Sequence, residues 1–334
     1  MNSSHRGGFL LAALACVLVG ASFTAGGALV DYPHAGGQAL RYGSACLLLV
    51  WPARKGAGRR LRGLGGRQWA LAGAVAAVGM VGFNLAILAA ERTAEPAVPG
   101  VLVGCAPVVV AVLVPLAAGR RPAVAVTAGA VLVASGAFVV QGWGGTDGAG
   151  LCFSVLALVG EVGFALLAAP LVGPLGPPLL SACVCGLAAV EAGAVGLLTD
   201  GTAALRMPTG SEALALGWQS VVATVIGFVC WYAGLQRIGT ERATLFSGLI
   251  PVAAAVTAPI VAVGTFGAGQ LAGSALVAGG VAVGSGALGA VGWRRTPAPP
   301  PPAAALAADR RDTSARIMET SPAAPGTSAG LGEL

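Results

Sequence analysis

Long apolar runs separated by short polar segments dominate the pattern of this 334-residue chain. A helix needs about 20 mostly apolar residues to cross the hydrocarbon core of a bilayer. Ten runs meet that requirement, so the pattern predicts an all-α integral membrane protein with ten transmembrane helices in one bundle. The predicted helices cover residues 8–30, 35–52, 68–90, 95–118, 122–141, 149–171, 178–199, 213–235, 240–264 and 268–292. A cleaved signal peptide is the alternative for the first run, although its apolar length of about 22 residues exceeds the usual 7 to 15.

Composition and charge agree with a membrane protein. Hydrophobic residues make up 56% of the chain and charged residues 10%, whereas soluble domains carry about 25% charged residues. Alternating the connections places thirteen Lys and Arg residues on one side and three on the other. The larger group is Arg6, Arg54, Lys55, Arg59, Arg60, Arg62, Arg67, Arg120, Arg121, Arg237, Arg242, Arg294 and Arg295, and the smaller is Arg41, Arg92 and Arg206. Because basic loops stay in the cytoplasm, we expect a multi-pass protein of the cytoplasmic (inner) cell membrane with both termini cytoplasmic.

The same charges do not predict a nucleic-acid partner. The basic segment ARKGAGRRLRGLGGR, residues 53–67, adjoins a predicted membrane face and contains no aromatic residue. Membrane topology and anionic lipid headgroups explain it, so the lipid bilayer is the expected partner. The seven cysteines all fall inside predicted helices, and the two histidines, His5 and His34, lie outside them. The sequence therefore predicts no disulfide framework, no metal site and no cofactor.

An internal repeat relates the two halves of the chain. The stretches CAPVVVAVLVP at 105–115 and LIPVAAAVTAP at 249–259 share two prolines at an offset of 144 residues, which also aligns GAVLVASG at 129–136 with GSALVAGG. An odd number of helices per repeat inverts the second half in the membrane, so we predict inverted five-helix repeats at 8–141 and 149–292. Such repeats are typical of secondary transporters, whose substrate site lies near the midplane. The Pro-, Ala- and Ser-rich segment 296–334 is predicted to be a disordered cytoplasmic tail.

The repeated prolines are Pro107, Pro115, Pro251 and Pro259. A proline inside a helix removes a backbone hydrogen bond. In a bilayer the freed carbonyl must be satisfied by neighbouring groups or by cavity water. The prolines therefore favour helices that line a cavity, and simple kinks in packed helices remain the alternative.

Two stretches of the second half resemble a known family. Residues 224–260, TVIGFVCWYAGLQRIGTERATLFSGLIPVAAAVTAPI, and 269–284, GQLAGSALVAGGVAVG, are similar to the second repeat of the EamA-like transporters of the drug/metabolite transporter superfamily. ALRYG at 39–43 resembles the first repeat more weakly. The resemblance implies a ten-helix bundle that carries small organic solutes or metabolites, often outward. One departure is that Arg120 and Gly264 stand where similar proteins usually have glutamates.

Glu161 lies near the middle of the predicted helix 149–171. A central acidic residue costs about 2.5 to 3.5 kcal/mol on insertion scales, which protonation, pairing or cavity water lessens. Ser154 and Phe164 share its helix face with small apolar residues, an arrangement that suits a solute cavity or close helix packing. Two interpretations stay open: a proton carrier, or a structural glutamate hydrogen-bonded between helices.

Other polar and aromatic residues inside the predicted helices are further candidates. Arg41 would anchor an anionic group or extend to the outer interface, and Glu191 would be a site residue or a rim carboxylate. Asn84 and Gln219 require polar partners in or beside a cavity. Aromatic residues are either cavity walls or packing. The complete set for the substrate or proton pathway is Glu161, Arg41, Glu191, Asn84, Gln219, Ser154, Phe164, Trp231 and Tyr232.

Taken together, the sequence predicts a secondary transporter of small organic solutes, an exporter working by alternating access, with proton coupling through Glu161. A membrane-embedded enzyme is the alternative, but it would need a nucleophile with a base, a metal cluster or a phosphate loop, and no such motif is present. A membrane scaffold is a further alternative. The solute, the direction, the coupling ion and the choice between monomer and homodimer stay open.

Overall fold

The computed structural model describes residues 3–95, 97–142, 144–261 and 266–286. Within these ranges the regular structure is helical, apart from one isolated antiparallel bridge between Ala94 and Thr146. The predicted tail 296–334, the departure at Gly264 and the end of the last predicted helix lie outside the described residues.

Nine helices in the described part of the chain are long and apolar enough to cross a bilayer. The chain is therefore an all-α membrane protein, as its hydrophobic pattern predicts. We label these nine together with two others, α2 and α3, in chain order: α1 Ser3–Ser22, α2 His34–Ala53, α3 Ala57–Arg62, α4 Gly66–Ala90, α5 Ala97–Ala117, α6 Val124–Gln141, α7 Gly148–Leu175, α8 Pro177–Thr199, α9 Gly210–Ile238, α10 Thr240–Ile260 and α11 Ala268–Ser285.

The second predicted span corresponds to α2, which has 20 residues but is not among the nine apolar helices. Its lower apolarity comes from polar side chains at 34, 38 and 41, which recur at helical spacing and share one face. The first predicted span ends earlier than expected. The α-helix stops at Ser22 and continues as a 3-10 helix, Phe23–Leu29, where two adjacent glycines weaken helix propensity.

Small residues allow the helices to pack in close antiparallel pairs. Along α6 and α11, Gly129 faces Gly280 and Gly284, while Gly136 faces Gly273. A Cβ atom on Gly136 would stand 2.7 Å from the carbonyl oxygen of Gly273. Such close backbone approach is how membrane helices gain van der Waals contact in the absence of a hydrophobic driving force between them.

Two further pairs follow the same principle. Gly8 of α1 contacts Ile238 of α9, and Ala12 contacts Gly234. Residue numbers increase along α1 while those of its contacts on α9 decrease, so the two helices are antiparallel. In the pair of α2 and α8, Gly36 lies against Gly196. The pairs α1–α9 and α2–α8 contribute, together with α4 and α7, to one continuous core of buried apolar residues.

Four of the long helices are interrupted. α4 and α9 each contain a π-helical segment, Ala77–Gly82 and Gln219–Ile226. α5 breaks at Cys105, and α10 contains the 3-10 segment Thr244–Gly248. The last two breaks have a local cause. Pro107 lies two residues after Cys105 and Pro251 lies three residues after Gly248, and each proline lacks the N–H donor of a helical hydrogen bond.

Candidate functional site

A cavity of about 120 Å³ lies among α1, α2, α4, α7, α9 and α10. Its volume suits several water molecules or a small organic solute. Most of its wall is apolar or aromatic: Met80, Phe83, Phe164, Phe228, Trp231 and Ile250. Three of the predicted polar candidates, Arg41, Asn84 and Glu161, line it together.

Glu161 occupies the midpoint of the 28-residue α7. Small residues on α7 and α4 bring these helices close, since a Cβ on Gly79 would stand 2.7 Å from Cα of Phe164 and a Cβ on Gly160 would stand 2.9 Å from Cβ of Phe83. Among the described residues, the Glu161 carboxylate makes no hydrogen bond and no ion pair. Its polar contacts are therefore left to whatever enters the cavity.

Arg41 reaches the cavity from the polar face of α2. Its Nε donates a hydrogen bond of 2.8 Å to Oγ1 of Thr224, and Thr224 in turn donates 3.0 Å to the carbonyl of Gln219. Gln219 is the first residue of the π-helical segment of α9, and Thr224 belongs to the same segment. This segment therefore holds Nε of the Arg41 guanidinium in place. In the described part of the chain no carboxylate forms an ion pair with Arg41.

Asn84 joins α4 to α2 at the cavity wall. Its Nδ2 donates to the hydroxyl of Tyr42 at 3.0 Å and to the carbonyl of Met80 at 2.7 Å. Both amide hydrogens are thereby used, which leaves Oδ1 as an acceptor and the Tyr42 hydroxyl hydrogen as a donor. Tyr42 is a lining residue that the sequence reasoning missed, although it directly follows Arg41 in the ALRYG stretch.

An aromatic cluster forms one wall. The ring centroid of Phe164 lies 5.1 Å from that of Phe228 and 5.6 Å from that of Tyr232. Phe164, Phe228 and Trp231 line the cavity, whereas Tyr232 is fully buried behind them and does not. The structure thus divides the three aromatic candidates into two wall residues and one packing residue.

The remaining candidates lie away from the cavity. Ser154 is buried and donates 2.7 Å to the carbonyl of Gly150 in its own helix. Gln219 is buried at the start of the π-helical segment of α9. Glu191 of α8 has one buried carboxylate oxygen without a partner among the described residues, and it does not line the cavity.

The prolines differ in their relation to the cavity. None of the four is a lining residue, but Pro251 directly follows the lining residue Ile250 on α10. Pro259 lies in the 3-10 turn at the end of α10. Pro107 and Pro115 belong to α5, which contributes no lining residue.

Ion pairs tie connecting segments together outside the cavity. Arg206 donates to both oxygens of Glu212, at 2.6 and 3.1 Å, and its guanidinium lies 4.6 Å from the ring centroid of Tyr32. The hydrogen bond to Glu212 raises the pKa of Arg206. The Tyr32 hydroxyl also donates to the Arg206 carbonyl, so the segment between α1 and α2 is joined to the segment before α9.

A second ion pair involves one of the two positions that depart from the resembled family. Arg120, which follows α5, forms an ion pair of 3.0 Å with Glu241 at the start of α10. The arginine therefore has a carboxylate partner of its own in this chain.

Comparison with known proteins adds evidence on the fold. No protein-family model and no curated protein sequence matches the chain. A solved crystal structure of a protein is similar over 85% of this chain and 97% of its own chain, with a TM-score of 0.68 and 20% sequence identity. At this identity the likeness shows a shared fold alone. Fold and cavity together define an all-α membrane protein with a solute-sized cavity inside its helix bundle.

Proposed function

We propose that the chain is a secondary transporter, not an enzyme, that moves small organic solutes across the cytoplasmic membrane. The observation that carries this proposal is one cavity inside the helix bundle that contains both Glu161 and Arg41, neither with an oppositely charged partner among the described residues. Intramembrane ionisable groups typically mark solute or proton pathways. The resemblance of residues 224–260 to EamA-like transporters supports export as the direction.

Each lining group has a role in this proposal. Arg41 binds an anionic group of the solute, assisted by the hydroxyl of Tyr42. Asn84 accepts a hydrogen bond through Oδ1, and the aromatic wall packs against the apolar part. Glu161 takes up and releases a proton, which couples transport to the pH gradient. A pocket that is mostly apolar with a few convergent polar groups is the usual form of a small-molecule site.

We also propose that the bundle consists of two inverted repeats of five helices, with α2 as the tenth span. The positions of the interruptions support this. Gly104, where the first part of α5 ends, and Gly248, where the 3-10 segment of α10 ends, differ by the same 144 residues as the repeated prolines. The π-helical segments of α4 and α9 end beside the identical dipeptides Gly82-Phe83 and Gly227-Phe228, which differ by 145 residues, one more than the repeated prolines.

Helix contacts support the same relation. The first helix of the first repeat, α1, packs on α9 and α10, while its counterpart α7 packs on α4 and α5. In the proposed repeats, α4 corresponds to α9 and α5 corresponds to α10. Replacing each helix by its counterpart therefore converts the contacts of α1 into those of α7. The helices α2 and α8, and likewise α6 and α11, are counterparts that pack on each other. This is the pattern expected from a two-fold axis in the membrane plane.

Alternating access needs segments that bend at the depth of the cavity. π-helical turns and proline breaks lack part of the regular helical hydrogen bonding and occur where helices bend. Gly79 and Met80, in one π-helical segment, and Ser247, in the 3-10 segment of α10, all line the cavity. We propose that these segments are the hinges that open it to either side.

Proteoliposomes containing the purified full chain provide the test. A panel of labelled metabolites would be assayed for uptake and efflux under concentration gradients and an imposed pH gradient. We expect saturable movement of at least one solute class that empty liposomes lack, and its loss in Arg41→Ala. If a folded preparation moves no solute under any gradient, the proposal is wrong.

A further inference from the structure

The segment between α2 and α4 is unusually basic. It contains five cations, Arg54, Lys55, Arg59, Arg60 and Arg62, and the first turn of α4 adds a sixth, Arg67. The chain has no acidic residue between Asp31 and Glu91. All six side chains are exposed, and none has an ion pair in the described part of the chain. We call Arg54, Lys55, Arg59, Arg62 and Arg67 the basic surface.

The remaining cation, Arg60, attaches this segment to the bundle. Nη1 of Arg60 donates a hydrogen bond of 3.0 Å to the carbonyl of Leu175, the last residue of α7. The final carbonyls of a helix lack intrahelical partners and carry partial negative charge, which favours a cation there. Leu61 and Leu64 pack against the main core on the same side. Because Arg60 and the leucines hold α3 to the protein, the other cations remain available for an external partner.

Two tryptophans indicate the depth of the basic surface. Trp51, near the end of α2, is 69% exposed, and the guanidinium of Arg54 lies 3.4 Å from its ring centroid. Trp69, in the first turn of α4, is 40% exposed. Exposed tryptophans at the ends of membrane helices typically lie at the level of the lipid headgroups. Cations beside them are therefore at the height of the phosphates.

We propose that the basic surface is a binding site for the headgroup of an anionic phospholipid. The site combines several cations without acidic partners with aromatic side chains that suit the adjoining acyl region. Clusters of this kind next to a membrane helix attract anionic lipids. A bound headgroup also offsets the mutual repulsion of the cations and so holds α3 against the end of α7, the helix that carries Glu161. This inference depends on membrane embedding and not on transport.

The experiment compares lipids that differ only in charge. The purified full chain in neutral detergent is titrated with phosphatidylglycerol or phosphatidylcholine of identical acyl chains, and bound lipid is counted by native mass spectrometry. We expect the anionic lipid to bind about tenfold or more tightly than the neutral one. Higher salt should weaken this preference because exposed charges are screened. Equal binding of the two lipids by the wild type would overturn the proposal.

Paired variants locate the site. Arg59→Gln with Arg62→Gln should lose most of the preference, while Arg59→Lys with Arg62→Lys should keep it. Arg92→Gln with Arg121→Gln removes two exposed cations elsewhere and serves as the matched control. If the control loses as much preference as the glutamine pair, the site is not on the basic surface.

Competition and stability complete the test. Phosphatidylglycerol should raise the unfolding temperature of the wild type but not of the glutamine pair, since a ligand stabilises the state that it binds. Circular dichroism of each variant verifies its fold. Displacement of the lipid by equimolar inorganic phosphate, or tighter binding of a single-stranded oligonucleotide, would also refute the lipid assignment.

Discussion

Glu161 shows at the scale of one residue how a costly carboxylate becomes tolerable. Along the sequence, Glu161 lies at the centre of an apolar helix, and its neighbours on that helix have small apolar side chains. In the folded chain it lines a cavity and not a dry helix interface. Water or a solute there solvates the carboxylate, which lessens the cost of keeping it inside a bilayer.

The first prediction concerns this carboxylate. Glu161→Gln preserves the shape of the side chain but cannot release a proton at physiological pH. We expect solute movement driven by a pH gradient to fall to the level of empty proteoliposomes. Exchange of solute without a pH gradient should persist, because Arg41 and the aromatic wall are unchanged.

The matched control is Glu191→Gln, which neutralises a carboxylate outside the cavity. It should leave the driven rate close to that of the wild type. If Glu161→Gln also transports normally under a pH gradient, the role of Glu161 as a proton carrier is excluded.

The hydrogen-bond partners that join neighbouring helices are not evident from the sequence. Arg41 and Thr224 are 183 positions apart, and Asn84 and Tyr42 are 42 apart, yet each pair is hydrogen-bonded at the cavity wall. The sequence indicated that Arg41 and Asn84 need polar partners. It could not identify those partners, because threonine and tyrosine are also ordinary packing residues in apolar helices.

At the scale of single elements, glycine spacing determines which helix surfaces can touch. Gly280 of α11 and its neighbour Gly279 are identical in chemistry and adjacent in sequence. A Cβ on Gly280 would stand 2.6 Å from the carbonyl oxygen of Gly129, whereas a Cβ on Gly279 has no atom within 4 Å. Substituting each of these two glycines by alanine therefore distinguishes the effect of the contact between helices from the effect of helix propensity.

We predict that Gly280→Ala lowers the free energy of unfolding by about 1 to 3 kcal/mol, because the added methyl group forces α6 and α11 apart. Gly279→Ala should be neutral or slightly stabilising, since alanine is the better helix former. Unfolding by sodium dodecyl sulfate, followed by circular dichroism, measures both. Equal effects of the two substitutions would show that the contact between α6 and α11 contributes little.

The start of α7 provides a pH-dependent element. Asp147 is its N-cap, and Oδ1 accepts a hydrogen bond of 2.7 Å from the backbone N–H of Gly150. This bond lowers the pKa of Asp147. A carboxylate with a lowered pKa stabilises the fold above its unfolded pKa of about 3.9, and this contribution is lost as the pH falls through the folded pKa.

Asp147→Asn keeps an N-cap acceptor but does not titrate. We therefore expect the stability of the wild type to decline more steeply with acid than that of the variant, and the two to converge at low pH. Thermal unfolding over a series of acidic buffers measures the difference. Parallel pH profiles would contradict a stabilising role of the ionised cap.

At the scale of the whole molecule, the joined connecting segments are the parts that the proposed alternating access would have to separate. Tyr32 and Arg206 link the chain before α2 to the chain before α9. The positive-inside rule predicts that both lie at the outer face. Opening the cavity to that face would require this link to yield.

A cross-link between these segments should therefore stop transport. Tyr32→Cys and Arg206→Cys, introduced into a chain whose seven native cysteines are replaced by alanine, would be joined by a reducible bifunctional thiol reagent. We expect transport to stop on cross-linking and to return on reduction, while each single variant treated with the same reagent keeps its own untreated rate. Full transport by the cross-linked chain would mean that this end does not move.

Sequence by itself determined the class of fold and the approximate extent of nearly every span. The hydrocarbon core demands apolar runs of fixed length, so helices such as α8 could be delimited without tertiary information. It also singled out the residues that are expensive in a bilayer, Glu161 and Arg41, because their cost depends on chemistry and depth alone.

Only the tertiary structure decided which of these residues share a cavity. It gathered Arg41, Asn84 and Glu161 from three helices, and it left Ser154, Gln219 and Glu191 outside. The reason is that helix rotation and pairing depend on close contacts between small residues on different helices. Apolar helices of glycine and alanine look alike along the sequence, and their partners are distinguished only by the three-dimensional fit of their surfaces.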